Sequence, residues 1–178
     1  MKALIITGIV FLASLILSAE NSRPFSISVS GIENGSTIPV KFVRNTVKGG
    51  KNISPGISWK NVPAGTKSFA ITCIDLNPMA RKWVHWMVLN IASDVKEIPE
   101  SASLNGKTLE MINSFGNKGY DGPQPPSGSG LHEYVLTVYA LSAERFPVSE
   151  KQLSEKDFLQ LVKGKILAKA SISNSFGR

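Results

Sequence analysis

The sequence has a single cysteine, and this shortage limits how the fold can be stabilised. Cys73 is the only thiol among 178 residues, so an intramolecular disulfide is excluded. It lies within the apolar stretch SFAITCID (68–75), which is typical of a buried, unreactive thiol. Hydrophobic residues make up 42% of the chain. We therefore expect a single domain that is stabilised by one good hydrophobic core.

Clustered charge is also missing. The chain carries 20 basic and 13 acidic residues, a formal net charge of +7, yet no basic run is longer than Arg81-Lys82. Scattered Lys and Arg are typical of a solvated surface, whereas proteins that bind nucleic acids concentrate these residues in a patch. The sequence therefore predicts no nucleic-acid partner.

Two catalytic signatures are absent as well. No Gly-x-Ser-x-Gly leads from a strand into a helix, as the nucleophile elbow of many hydrolases does; the Ser-Gly-Ser-Gly at 127–130 precedes a strand instead. The two histidines, His85 and His132, do not form a closely spaced pair such as His-x-x-x-His. We expect no enzymatic activity, no metal and no cofactor. A zinc site made by both histidines and Asp75 stays open as an alternative.

The N-terminus has the pattern of a secretory signal peptide. Lys2 precedes the apolar run LIITGIVFLASLIL (4–17), and Ser18-Ala19 lead into the polar residues 20–22. Cleavage after Ala19 would remove Lys2, lower the net charge from +7 to +6, and leave a domain of residues 20–178 without a transmembrane span. An uncleaved anchor is the alternative, but the run is shorter than the ~20 residues that a span needs. We expect a periplasmic or secreted protein.

Alternating apolar and polar residues indicate a mainly β fold. The candidate strands are residues 25–30, 37–42, 68–74, 83–91, 134–141 and 168–176. The runs at 83–91 and 134–141 are apolar on both faces, which predicts central strands that are covered on each side. One helix is expected after the cap Ser154, with Phe158, Leu161 and Val162 on its buried stripe.

Four polar side chains occur at comparable positions on these strands. Alternation puts Trp83, His85, Met87 and Leu89 on one face and Val84, Trp86 and Val88 on the other. Asp75 ends a strand, and His132 and Tyr134 share a face. These groups could meet in one pocket at a sheet edge, where imidazole and phenol donate to an anion and the carboxylate orients or charges a histidine. Alternatively, each histidine is a core residue with its own partner.

The stretch YDGPQPPSGSGLHEY (120–134) joins rigid and permissive backbone immediately before His132 and Tyr134. Proline fixes φ and glycine tolerates positive φ, so the pattern predicts a shaped loop rather than a loose tether. We expect this loop to form one wall of the pocket.

Four stretches resemble, in order, the phosphatidylethanolamine-binding protein family, which includes the Raf kinase inhibitor protein, and are most similar to its bacterial and archaeal branch. They are NISPGISWKNVPAGTKSFAITCID (52–75), KWVHWMVLNI (82–91), GYDGPQPPSGSGLHEYVLTVYAL (119–141) and ILAKASISNSFGR (166–178). The specific motifs are Asn-x-Ser-Pro-x-x-x-Trp and Gly-Pro-x-Pro-Pro-x-Gly-x-Gly-x-His-x-Tyr. The resemblance covers nearly the whole chain after the predicted signal peptide.

The resemblance implies a central antiparallel sheet packed against a smaller second sheet, with the C-terminal-region helix on the other side. It also implies a small surface pocket for phosphate-like and other anionic groups. By motif position the pocket residues are Asp75, His85, His132 and Tyr134, and the rim residues are Pro78, Gln124 and Pro125. The chain departs from the family in one segment: where Asp-Pro-Asp-x-Pro is usual, it has Asp75-Leu76-Asn77-Pro78, and anion binding could be strengthened or lost.

Three functions are compatible with these sequence features. The leading one is a non-catalytic binding protein for a small anionic or phosphorylated ligand, such as a phospholipid headgroup or a phosphomonoester. The second is an inhibitor of a kinase or protease that acts through a protein partner, and the third is a hydrolase that uses the pocket histidines. A homodimer is also compatible with the sequence.

Overall fold

The computed structural model describes residues 23–104 and 108–178, which form eight strands and one α-helix. These are β1 (Ser26–Val29), β2 (Ile57–Lys60), β3 (Ser68–Asp75), β4 (Trp83–Ala92), β5 (Glu97–Ile98), β6 (Leu109–Glu110), β7 (His132–Leu141), α1 (Glu155–Leu161) and β8 (Ile166–Phe176). The predicted signal peptide lies outside the described residues. Within those two ranges no helix is both long and apolar enough to cross a membrane.

The strands form two antiparallel sheets. The larger has the order β6-β4-β3-β7-β8 and the smaller has the order β1-β2-β5. Strand β3 lies at the centre of the larger sheet, and all eight of its residues are buried. The predicted mainly β class is therefore confirmed, and so is the interior position of the runs at 83–91 and 134–141.

Each face of the larger sheet has its own hydrophobic core. On one face the small sheet packs through residues such as Trp59, whose ring lies 5.0 Å from that of Phe69. On the other face Phe158 of α1 lies 5.0 Å, ring to ring, from Tyr139 of β7. The predicted layers, a second sheet on one side and a helix on the other, are confirmed. Cys73 is a free thiol buried in the first core, where burial raises its pKa to about 12.

Helix α1 begins at the predicted cap. The Ser154 hydroxyl accepts a hydrogen bond from the Asp157 amide, and the Asp157 carboxylate accepts one from the Ser154 amide, which completes a capping box. Phe158 and Val162 are fully buried and Leu161 packs beside them, as predicted. The helix ends at Leu161, and Gly164, with φ of +70°, reverses the chain into β8.

The strand predicted at 37–42 is wrong. Residues Val40–Phe42 form a 3₁₀ turn, and the Phe42 amide donates to the Pro39 carbonyl. Proline has no N–H for a strand ladder, so pairing with β8 is limited to a bridge at Thr37 and a bond from the Ile38 amide. The alternation in TIPVKF did not predict this turn, and the short strands β2, β5 and β6 were not predicted either.

A β-bulge in β4 places some side chains on a different face of the sheet from the one that alternation predicted. Cys73 pairs with Trp86 and Ile74 pairs with Val84, so His85 is the extra residue in the ladder. As a result Val84 packs in the helix-side core with Met87 and Leu89, rather than on the opposite face with Trp86 and Val88. Because of the bulge, His85 is not part of the regular alternation of side chains between the two faces of the sheet. It lies near the end of the sheet.

Candidate functional site

A cavity of about 270 Å³ lies at the end of the larger sheet, where β3 ends and β4 and β7 begin. Its lining residues are Asp75, Met79, Ala80, Trp83, His85, Phe115, Gln124, Pro125, Pro126, His132 and Tyr134. Six of the seven residues predicted from the sequence are in this set. The seventh, Pro78, begins the 3₁₀ turn Pro78–Ala80, and it is the next two residues of that turn that line the cavity.

Strand pairing brings these side chains together. Asp75, the last residue of β3, lies opposite Trp83 in β4 and opposite Tyr134 in β7. Directly opposite residues on adjacent strands place their side chains within contact distance. Residues from three strands therefore meet at one end of the sheet.

Asp75 and His132 have the geometry of a buried ion pair. Asp75 Oδ2 lies 2.7 Å from His132 Nδ1, and Asp75 Oδ1 accepts the Asn77 amide at 2.8 Å. His132 Nε2 lies 3.0 Å from the Ser129 hydroxyl. A carboxylate only accepts hydrogen bonds, so His132 Nδ1 must carry a proton. Asp75 thus orients a histidine, which is the role that the sequence suggested for it.

His85 is held differently. Its Nδ1–H donates to the Asp121 carbonyl at 2.7 Å, and the Asp121 amide donates to the His85 carbonyl at 3.0 Å. Burial is the main influence on this imidazole and lowers its pKa below the ordinary 6.5. His85 is therefore neutral at pH 7, and because Nδ1 carries the proton, its Nε2 is an acceptor.

The Tyr134 hydroxyl is a hydrogen-bond donor in the cavity lining. It is buried and makes no hydrogen bond to the described part of the chain. Burial, followed by the negative charge of Asp75, raises the pKa of this phenol, so it stays protonated. The ring lies edge-on to His85 at 5.2 Å and stacks near His132 at 6.4 Å.

The loop at 120–130 forms one wall through Gln124, Pro125 and Pro126. It is fixed to the segment around Phe42, whose carbonyl accepts the Tyr120 hydroxyl at 2.8 Å. A Cβ on Gly122 would lie 2.0 Å from that same carbonyl oxygen, so only glycine fits this close approach.

Sequence reasoning missed Asp121 and Arg44, which contact residues of the site, and Phe115, which lines the cavity. The Asp121 carboxylate accepts hydrogen bonds from the side-chain amides of Asn52, Asn113 and Asn117 at 2.9, 3.0 and 2.7 Å. Arg44 stacks over the Phe115 ring at 4.1 Å and donates to Gln124 Oε1 at 2.8 Å. Because Oε1 is engaged, the Gln124 NH₂ group is left as a donor. Only the Phe115 ring of these three lines the cavity.

Comparison with known proteins identifies the family. Residues 28–177 match the family model described as phosphatidylethanolamine-binding protein (PEBP). The chain belongs to this family.

Relatives and solved structures agree with this assignment. The chain is 39% identical to YbhB of Escherichia coli over 126 residues, 67% of this chain and 79% of YbhB. It is 38% identical to a UPF0098 protein of Aquifex aeolicus over 82% of this chain and 84% of that one. The crystal structure of E. coli YbcL, described as a member of the mammalian PEBP family, has a TM-score of 0.79 at 30% identity and covers 88% of this chain and 99% of YbcL.

The segment that departs from the PEBP pattern is accommodated by side-chain hydrogen bonds. Asn77 Oδ1 accepts the Met79 amide at 2.9 Å and so caps the 3₁₀ turn, while Nδ2 donates to the Leu131 carbonyl at 3.4 Å. The Asn77 side chain does not line the cavity. Among the described lining residues Asp75 is the one carboxylate, as the sequence suggested.

The alternative zinc site is not supported by the geometry. The described residues contain no group of three side chains that could hold a metal ion. Asp75 is bonded to His132, whereas His85 is bonded to a backbone carbonyl. The three candidate ligands therefore do not converge on one point.

Proposed function

We propose that this PEBP-family protein is a secreted or periplasmic, non-catalytic binding protein whose cavity takes a small phosphate-like anion. The observation that carries the proposal is the buried Tyr134 hydroxyl, which has no hydrogen-bond partner within residues 23–104 and 108–178. An unsatisfied buried donor costs about 1–3 kcal/mol, and an anionic oxygen would satisfy it. The Gln124 NH₂ group supplies a second donor in the cavity lining.

Export is supported by the pattern at residues 1–19 and by one relative. LppC of Mycobacterium tuberculosis, named as a candidate lipoprotein, is 33% identical over 123 residues, 69% of this chain and 58% of LppC. This chain has no cysteine near its predicted cleavage site, so we propose a free protein rather than a lipid-anchored one.

Binding without catalysis is supported by the position of Ser129. Ser129, His132 and Asp75 have spacings like those of a catalytic triad, 3.0 Å from Oγ to Nε2 and 2.7 Å from Nδ1 to Oδ2. The Ser129 hydroxyl, however, donates to the Pro126 carbonyl at 2.7 Å, and Ser129 does not line the cavity. A bound ester would therefore lie beside the histidines without reaching a nucleophile.

The test removes one oxygen atom from the protein. Tyr134→Phe deletes the unpaired hydroxyl and should weaken binding of phenyl phosphate, measured by calorimetry, by ten- to a hundredfold, because a hydrogen bond to a charged group contributes about 1.5–3 kcal/mol. Tyr139→Phe is the matched control, since Tyr139 lies on the same strand in the helix-side core, and it should bind as the wild type does. Equal affinity in wild type and Tyr134→Phe, or release of phenol by the wild-type protein, would refute the proposal.

An inhibitor of a kinase or protease is the second candidate. Met79, which lines the cavity, and Leu131, which precedes His132 in the chain, are 68% and 70% exposed. Such exposed apolar side chains are favourable for a protein partner. A carboxypeptidase Y inhibitor solved with its proteinase shares the fold, with a TM-score of 0.53 at 17% identity. Inhibition that persists in Tyr134→Phe would favour this candidate over the anion-binding one.

A further inference from the structure

We propose that the cavity selects the singly protonated form of a phosphomonoester, and that His85 Nε2 accepts the ligand's P–O–H hydrogen. The proposal rests on the proposed function and narrows its ligand class. It makes His85 a specificity-determining residue, since a ligand with acceptor oxygens alone cannot satisfy both His85 and Tyr134.

The hydrogen-bond roles follow from the groups that are already engaged. His85 uses Nδ1–H for the Asp121 carbonyl, so its neutral ring presents a lone pair at Nε2. Edge-on contacts with Phe115 at 5.5 Å and Tyr134 at 5.2 Å hold the ring in place. The Tyr134 hydroxyl is a donor. The cavity thus offers one fixed acceptor next to one unpaired donor, and a P–O–H group beside P–O⁻ oxygens matches both.

The charges around His85 favour one negative charge on the ligand rather than two. The charged and titratable groups near it are Asp75 on β3, His132 and Tyr134 on β7, Asp121 in the loop, and Arg44, which stacks on the Phe115 ring beside His85. Asp75 is paired with His132, and Asp121 is bonded to three amides and lies 3.5 Å from Arg44 Nε. No Lys or Arg occurs among the described lining residues. The nearest cations, Arg44 and Arg178, are bonded to Gln124 and Pro125 of the loop, so no cation in the lining faces a second ligand charge.

The remaining lining residues indicate an apolar ester group. Trp83, Phe115 and Pro125 surround the polar atoms, and Trp83 is 38% exposed at the mouth. An aromatic ester would contact these rings while its phosphate lies against His85 and Tyr134. Phenyl phosphate therefore combines both features in one probe.

The experiment uses the wild-type protein and three ligands of similar shape between pH 6 and pH 8. Phosphate esters lose their second proton near pH 6, so the singly protonated fraction of phenyl phosphate falls from about a half to about a hundredth over this range. If only the singly protonated form binds, the apparent Kd of phenyl phosphate should rise about 50-fold between pH 6 and pH 8. Phenyl sulfate and methyl phenyl phosphate keep one charge but have no O–H, so they should bind more weakly at pH 6 and show no such rise.

The ligand series separates the explanations. If titration of His132 controlled affinity, all three ligands would weaken together as pH rises, and the proposal for His85 would be overturned. Phenyl phosphate binding that is flat or stronger at pH 8 would also overturn it, while the anion-binding function would stand. Failure of all three ligands to bind at any pH would overturn both. Phenyl sulfate that binds as tightly as phenyl phosphate at pH 6 counts against the P–O–H contact.

Discussion

The two histidines show how partners assign different chemistry to the same residue type. His132 Nδ1 faces the Asp75 carboxylate, whereas His85 Nδ1 faces a backbone carbonyl inside the sheet. Both are 2% exposed, so burial alone does not distinguish them. The difference lies in the group at Nδ1, which is a carboxylate for His132 and a neutral backbone carbonyl for His85.

At the residue scale, the lowered pKa of His85 predicts how stability changes with pH. The unfolded chain binds the proton near pH 6.5, whereas the folded chain binds it only at lower pH. The contribution of neutral His85 is therefore complete above pH 6.5 and is lost as pH falls from that value to the lowered pKa of the folded state, by at most about 1.4 kcal/mol per pH unit. Urea unfolding between pH 7.5 and pH 5 measures this change.

The control for this prediction is His85→Gln, whose amide can donate to the same carbonyl but does not titrate. The stability difference between wild type and variant should shrink as pH falls. A difference that is constant, or one that grows toward pH 5, would mean that His85 is not buried as a neutral ring.

Sequence reasoning found most of the cavity residues on strands and in the motif loop, although it missed Trp83 and Pro126 there. It also missed the residues that contact the site from other segments. His85, His132 and Tyr134 could be located because strand alternation and the loop pattern mark them. Arg44 contacts Gln124 across 80 residues of sequence, and its own segment has no local pattern that would indicate this. Contacts of that kind depend on the tertiary fold rather than on local spacing.

At the scale of elements, the loop at 120–130 is a rigid wall because its backbone is bonded to a neighbouring segment. The Arg44 amide donates to the Pro123 carbonyl, and the Gly122 amide donates to Asn52 Oδ1 at 2.8 Å. Gly128 and Gly130 have φ of +78° and +83°, which lets the loop turn back into β7. The position of the wall thus depends on backbone contacts that side-chain bulk would prevent.

Gly122→Ala should therefore disturb both stability and binding. The new Cβ would overlap the Phe42 carbonyl, and overpacking against backbone costs about 1–3 kcal/mol or more. We expect a lower urea midpoint and weaker binding of phenyl phosphate, because Gln124 and Pro125 move with the loop.

Ser127→Ala is the matched control, since Ser127 is exposed in the same loop, and it should leave both measurements unchanged. A Gly122→Ala protein that has wild-type stability and affinity would show that the loop is not fixed in the way the contacts indicate.

Elements with long, consistent patterns were predictable, and irregular ones were not. Strands β3, β4 and β7 combine eight or more residues with nearly continuous burial, and α1 has a capping box that can be read from its sequence. The turn at Val40–Phe42 and the bulge at His85 arise from a proline and from the register against β3. A single strand's alternation does not contain that information.

On the scale of the whole molecule, the cavity is built on a sheet that is covered on both faces. The small sheet and α1 bury opposite sides of β3, β4 and β7, so the floor of the cavity belongs to the core rather than to mobile loops. Sites on such elements are held more precisely than sites on loops. The cavity is therefore formed before a ligand arrives, which suits binding without a large rearrangement.

The most direct test of anion binding is a crystal structure of the protein soaked with phenyl phosphate at pH 6. We predict that the phosphate group lies in the cavity at the end of β3, with its oxygens within about 2.5–3.2 Å of Tyr134 Oη and His85 Nε2. Phosphate density elsewhere on the surface, with this cavity unoccupied at saturating ligand, would contradict anion binding at this site.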